Sequence, residues 1–322
     1  MKAFFREARL VPVIVGNLKR SKLMRKILPL STGGTDNARY CYSVWLRHLN
    51  YYLLNSNRGI PCTVAELGPG DSLGIGLSAI LSGVDHYFAL DVLRFWDSSK
   101  NIRIFDELLE LFRKREDIPG DVEFPNVSPK IKDYSFPGMV LSETVLTMSL
   151  SSSRIERIRK ELQTPDDPAN TIIKYQIPWY DSKVIQAGSV DLIISQAVLE
   201  HVDDMKNAYS AMSLWLNDDG LMSHAIDFKC HGMTKSWNGH WSLSEFEWQM
   251  VRGGRVYAIN RMPLSAHIKL LEKNGFKLLV KNVNKRENNL KRTELFGEFQ
   301  NMSDDDLQTS GVYILANKHK VS

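Results

Sequence analysis

Residues 64–74 read VAELGPGDSLG: a short apolar run, an acid, and three glycines within eight residues. A glycine-rich loop that follows a buried strand and opens a helix cradles a nucleotide-like ligand, because bare backbone can approach it closely. This stretch constrains the chain more than any other. It demands a strand–loop–helix corner, and its acids restrict what the loop can hold.

The surrounding sequence repeats the strand–helix alternation. TVAEL (63–67) is a short buried strand and DSLGIGLSAILSG the helix after it, while HYFALDV (86–92) is a second strand ending in an acid. TIIKYQI (171–177), SVDLIISQ, LMSHAIDF, KLLVKNVN and GVYILANK supply five more strands. The pieces VDDMKNAYSAMSLWL, closed by NDDG, and PLSAHIKLLEKNGF supply helices between them. Such alternation gives an α/β fold with a mostly parallel sheet of seven strands. The gap between the second and third strands is too long for a crossover. RIFDELLELFRKRED and SSSRIERIRKELQ, with Pro119, Pro125, Pro129 and Pro137 between them, mark a helical insertion over about 97–168. Loop insertions of this kind are where substrate recognition is grafted. Ahead of the sheet, residues 1–59 read as an N-terminal helical cap, with helices in NLKRSKLMRKIL and ARYCYSVWLRHLNYYLL around STGGTDN. Tyr42, Trp45, Leu46 and Leu49 recur there at helical spacing and predict one buried face. Residues 60–322 form the main domain.

Two cofactor classes fit a glycine loop. A dinucleotide fingerprint needs G-x-G-x-x-G; here Gly68 and Gly70 take the first two places, the third falls on Leu73, and Gly74 comes one residue late. Glu66 and Asp71 would also face a pyrophosphate, which is unfavourable at short range. S-adenosylmethionine carries a sulfonium and an ammonium and no phosphate, so acids beside the loop suit it. Asp91, 21 residues beyond Gly70 at the tip of the second strand, is placed to accept from ribose hydroxyls.

AELGPGDSLG, ALDV and SVDLIISQAVLEHVDDM together resemble the class I S-adenosylmethionine-dependent methyltransferases, over about residues 60–100 and 170–317. The resemblance implies a Rossmann-like, doubly wound sheet. It implies that Glu66, Gly68, Pro69 and Gly70 line the methionine end of the cofactor and that Asp91 holds the ribose. It also implies that YQIPWYDS, including Ile177, meets the adenine, with Ser195 and Gln196 beneath the sulfonium. The loop after the fifth strand and NRMPLSAHIKLLEKNGF resemble methyltransferases of surface-polysaccharide or glycoconjugate synthesis. O-methylation of a sugar, glycoconjugate or other small molecule is the activity this implies.

A base for a hydroxyl acceptor belongs at the C-terminal strand ends. His201, in LEHV, and Asp227 with His231, in SHAIDFKCHG, stand there. An Asp227–His231 pair would orient a histidine for proton abstraction; as metal ligands two residues do not make a site, and no metal is expected. WNGHWSLSEFEW, with Trp241, offers aromatic faces to a ring-bearing acceptor, and Arg39 or Arg261 would suit an acidic one. Arg39 lies on a segment placed to cover the cofactor.

Charge narrows the partners. Residues 1–30 carry +7, and the remainder holds 33 basic against 36 acidic residues, so no basic stripe for nucleic acid appears. The basic, partly apolar N-terminus suits peripheral contact with the inner face of an anionic membrane, or a helix packed on the main domain. It would also suit a lipid- or quinone-like acceptor. Three widely spaced cysteines and the lack of an 18-residue apolar run fit a cytoplasmic protein. A non-catalytic cofactor-binding partner or regulator is the alternative class.

Overall fold

The computed structural model describes residues 2–18, 33–179, 181–255, 257–288 and 290–318. Five strands run parallel from the chain's first half onward: β1 (Thr63–Leu67), β2 (His86–Leu90), β3 (Ile173–Gln176), β4 (Val190–Gln196) and β5 (Leu216–Asp227). With β6 (Phe276–Lys285) and β7 (Thr309–Lys318) they form one sheet in the order β3-β2-β1-β4-β5-β7-β6, and β7 is antiparallel to both its neighbours. This is the seven-stranded, mostly parallel α/β fold expected.

Alternation along the strands divides two helix layers. Val64, Leu192, Ile194 and Leu221 face α3 (Ala38–Asn55), α4 (Gly74–Leu81) and α5 (Ser98–Lys114). Ala65, Ile193 and Met222 face α8 (Met205–Trp215) and α9 (Leu264–Lys273) on the other side. α3 begins where Asn37 accepts from the Tyr40 amide, and it buries Tyr42, Trp45, Leu46 and Leu49 as the periodicity predicts. Its Trp45 indole donates to Ser82 on the rim of α4 at 2.8 Å, so α3 is part of the sheet's own core. Of the helix expected over 17–28, only residues 17 and 18 are described, as the end of α2 (Leu10–Leu18), which follows α1 (Lys2–Glu7). Among the described residues no helix is long and apolar enough to cross a membrane.

Between β2 and β3 run α5, α6 (Glu143–Ser149) and α7 (Ser152–Gln163). The fully buried Arg47 of α3 ties this insertion down: its guanidinium donates to the carbonyls of Pro119 and Val127, each at 3.0 Å, and pairs with Asp121 at 3.1 Å. One expectation fails. NDDG does not close α8; the helix ends at Trp215 and the chain passes directly into β5, which pairs Leu216 with Val190 and shifts register before Leu192. The Asn217 amide, donating to Asp191 at 2.6 Å, holds that irregular start against β4.

The helix after the glycine loop lies unusually close to its neighbours. A Cβ on Gly76 would fall 1.9 Å from the ring of Tyr87, which is fully buried on β2. Gly76→Ala is therefore expected to destabilise the fold by about 1–3 kcal/mol, the usual cost of overpacking. Urea denaturation measures this, and an unchanged midpoint would show that α4 can shift freely.

Candidate active site

The sheet order reverses at β1: the chain goes from β1 to β2 on one side and returns to β4 on the other. The crevice beyond the strand ends at such a switch point is the ligand site of open α/β sheets. Here the loop after β1 meets the loop after β4. Gly68 has φ +61°, and a Cβ there would lie 2.8 Å from Val198 on the opposite wall. Only glycine fits both the backbone conformation and the gap. A cavity of about 480 Å³ opens here between Gly68, Pro69 and Gly70 on one side and Gln196, Ala197 and Val198 on the other. A second, of about 240 Å³, adjoins it along Asp91, Val92 and Trp179.

Asp91 stands between the two, on the walls of both. Its Oδ1 accepts from the amides of Val92 at 2.7 Å and Leu93 at 3.3 Å. Burial pushes its carboxyl up to about 6, against the opposing pull of those amides, the Tyr257 side chain and the Gly70 amide. The other two acids face elsewhere. Glu66 is buried beneath the loop, where the Tyr87 hydroxyl donates to its Oε2 at 2.5 Å. Burial raises its carboxyl to about 8, so it is uncharged at neutral pH. It supports the loop and does not line the cavity. Asp71 turns to the amide of Gly33 at 3.2 Å. Of the three acids expected beside the ligand, Asp91 alone lines the cavities.

The segment ahead of α3 folds over the glycine loop. Thr35 Oγ1 accepts from the Ser72 amide at 3.1 Å, and the Ser72 hydroxyl donates to the Thr35 carbonyl. Thr35 and Tyr40 thereby become cavity wall. Arg39, beside them, points away and clasps Glu123 of the insertion at 2.7 and 2.8 Å. Gln196 lines the cavity, and its Oε1 bonds His48 Nε2 at 3.2 Å, while His48 Nδ1 bonds Ser223 at 2.7 Å. Burial lowers His48 to about 4, which keeps it neutral. Ser195 is buried off the cavity on His224 at 2.8 Å. Ile177 is not on either wall; Trp179, two residues on, is. Tyr180 lies outside the described residues.

At the mouth stand two imidazoles, His201 and His231, with ring centroids 5.3 Å apart. Burial lowers His201 to about 4 and also lowers His231. The expected Asp227–His231 hydrogen bond is not formed. Asp227 instead binds the Lys229 ammonium at 2.8 Å and accepts from the Lys229 amide at 2.8 Å. Glu200, next to His201, is 2% exposed, and neither of its oxygens has a partner in hydrogen-bond geometry. Desolvation raises its carboxyl well above the usual range, with Asp227 adding to the shift and main-chain groups opposing it.

The remaining acceptor candidates lie apart. Trp241 is fully buried and its indole donates to the Arg261 carbonyl at 2.9 Å. Arg261 donates to the carbonyls of Leu243 at 2.8 Å and His240 at 3.2 Å, stacks over Phe299, and borders a separate cavity of about 800 Å³. Among the described residues that line the two cavities at the strand ends, none is a lysine or arginine. Tyr40, Phe95 and Tyr257 complete those walls and were not singled out from the sequence, whereas Trp179 belongs to the YQIPWYDS segment expected at the adenine. For Tyr40 the only signal was its position next to Arg39.

No protein-family model and no curated protein sequence matches the chain. Solved structures similar to it include a putative S-adenosylmethionine-dependent methyltransferase from Listeria monocytogenes, 14% identical with a TM-score of 0.40, covering 85% of this chain and 99% of that one. An S-adenosylmethionine-dependent methyltransferase from Mesorhizobium loti is 13% identical with a TM-score of 0.42, covering 88% and 100%. A putative sarcosine dimethylglycine methyltransferase from Galdieria sulphuraria is 12% identical with a TM-score of 0.43, covering 86% and 85%. The similarity is distant, and the site's own geometry carries the reading that follows.

Proposed function

We propose that this chain binds S-adenosylmethionine and transfers its methyl group to a hydroxyl oxygen of an uncharged small molecule, a sugar or glycoconjugate being the preferred class. One observation carries the reading. The switch-point crevice presents glycine-loop backbone and a buried acid, and no cationic side chain among its described wall residues. A pyrophosphate would meet Asp91 with nothing to neutralise it, whereas a cofactor with a sulfonium and a ribose diol is suited by that wall. Asp91 would accept from the diol, Trp179 would face the adenine, and the methionine end would lie under Thr35 and Tyr40.

Methyl transfer is an in-line displacement. The acceptor oxygen forms a bond to the methyl carbon, the carbon–sulfur bond breaks with its electron pair going to sulfur, and the hydroxyl proton must leave. The chain's contribution is alignment and removal of that proton. His201 and His231 are the side chains at the mouth that meet the acceptor hydroxyl. The absence of a lysine or arginine from the described walls favours a neutral acceptor over a phosphate or uronate. A lipid-like acceptor is a second reading, favoured by the exposed Phe5, Leu10, Val11 and Ile14 of α1 and α2.

Incubation with methyl-labelled S-adenosylmethionine and neutral glycans, uronate-bearing glycans or lipid extracts tests the reading. Label in an alkali-stable ether of a neutral glycan is the expected outcome. His231→Ala is expected to lower kcat/KM by about 100-fold or more, with cofactor affinity within a few-fold. Label only in amines or carboxyl esters would contradict the oxygen acceptor. Cofactor binding without transfer to any pool would favour a regulatory protein.

A further inference from the structure

We infer that Glu200, His201 and His231 form a binding site for one divalent first-row transition-metal ion, open toward the acceptor side of the cavity. The three residues each offer a ligand atom, and these atoms all lie within 4.8 Å of one another. They come from two loops, the turn after β4 and the loop after β5, which only the sheet order brings together. The site is empty of protein partners where it should not be. Both carboxylate oxygens of Glu200 and Nδ1 of His201 are buried without a hydrogen bond. Even as a neutral acid, a buried carboxyl without a hydrogen bond costs about 1–3 kcal/mol, and a bound metal ion would answer it in its ionised form. Lys229, whose charge acts on Glu200, is committed to Asp227 at 2.8 Å.

The donor set chooses the metal class. Two imidazole nitrogens and one carboxylate oxygen suit zinc, cobalt, manganese or iron, whereas calcium and magnesium take oxygen ligands. Ligand bonds of about 2.0–2.2 Å place even opposite donors no more than roughly 4.4 Å apart. Donors that lie within 4.8 Å of one another therefore need only draw together around the ion, a motion available to His231 on its exposed loop. Three protein ligands leave coordination positions open. Since His201 and His231 both line the 480 Å³ cavity, those positions face the place of the acceptor.

Metal binding here stands on these residues alone; its role in turnover rests on the methyltransferase reading. In that role the metal replaces an imidazole base: His201 and His231 serve as its ligands, and the acceptor's hydroxyl oxygen takes an open position and becomes more acidic. Its proton passes to water at the mouth, and the resulting alkoxide attacks the methyl carbon as the carbon–sulfur bond breaks.

The test is a titration of chelator-treated full-length protein with Co²⁺, without S-adenosylmethionine, followed by visible absorption. Saturation at one ion per chain with bands of nitrogen- and oxygen-ligated cobalt is expected, with affinity reduced about 100-fold or more in His231→Ala and in Glu200→Gln. His231→Ala sits on an exposed loop, so its result remains interpretable if the Glu200 variant misfolds. No saturable Co²⁺ binding by the wild type, or wild-type affinity in both His231→Ala and His201→Ala, would overturn the site. Cofactor affinity measured on the same samples separates the two claims. Co²⁺ bound through the imidazoles with no S-adenosylmethionine bound upholds the metal site and overturns only the methyltransferase reading.

Discussion

Asp91→Ala is expected to weaken S-adenosylmethionine binding by about 100- to 10,000-fold while leaving the fold intact. The magnitude follows from two hydrogen bonds between ribose hydroxyls and a carboxylate, each contributing about 1.5–3 kcal/mol. The fold should survive because Asp91 lies just past the end of β2, and the amides it caps, those of Val92 and Leu93, belong to a loop that water can reach. The same residue sets a pH dependence. Burial raises its carboxyl to about 6, and the ribose donors favour the ionised form. Affinity should therefore be full near pH 7.5 and about tenfold weaker at pH 5, where the proton must be displaced before the diol can bind. Calorimetry across that range checks both claims. A wild-type affinity that does not change with pH, or an Asp91→Ala protein that binds as well as wild type, would remove the residue from the site.

Glu66→Gln is expected to reverse a pH-dependent loss of stability. In the folded protein Glu66 titrates at about 8, because burial outweighs the hydrogen bonds from Tyr87 and the Gly76 amide. In the unfolded chain it titrates near 4.5, so between those values the folded state holds a proton that the unfolded state has lost. Stability therefore falls as pH rises through this window, by about 1.4 kcal/mol per unit from this group alone. Glutamine has the shape and hydrogen-bonding pattern of the protonated acid and does not titrate. The variant should match wild type near pH 5 and exceed its stability increasingly toward pH 8. Urea denaturation of both proteins at several pH values gives the comparison. Parallel slopes would mean that Glu66 is ionised in its pocket.

These two acids also show where the sequence was legible and where it was not. Both end apolar runs ahead of loops, and from spacing alone both look poised at a ligand. The difference is one of position on the ladder. Glu66 is still inside β1, paired between Ala89 and Ile194, so alternation sends its side chain into the layer occupied by Val64 and Tyr87. Asp91 is one residue beyond the last residue of β2 and is free of that constraint. The strands and the glycine corner were readable because apolar runs and glycines act locally. Partners between distant segments were not: Arg39 belongs to Glu123 and Ser195 to His224, neither of which periodicity reveals, while Asp227 turns to Lys229 only two residues on. Arg39 and Tyr40 illustrate the scale of the problem. A shift of one residue turns a helix by about 100°, enough to exchange a cavity wall for a surface ion pair. The long insertion was recognisable as helical, but its attachment through the buried Arg47 to α3 required the coordinates.

On the proposed function, the crevice at the β1–β4 switch point takes a sulfonium nucleoside and refuses a diphosphate. Titration calorimetry of the wild-type protein with S-adenosylmethionine and, separately, with NAD⁺ distinguishes the two ligands. Saturable binding of S-adenosylmethionine at one molecule per chain is expected, with no detectable binding of NAD⁺. Saturable NAD⁺ binding with no response to S-adenosylmethionine would overturn the proposal.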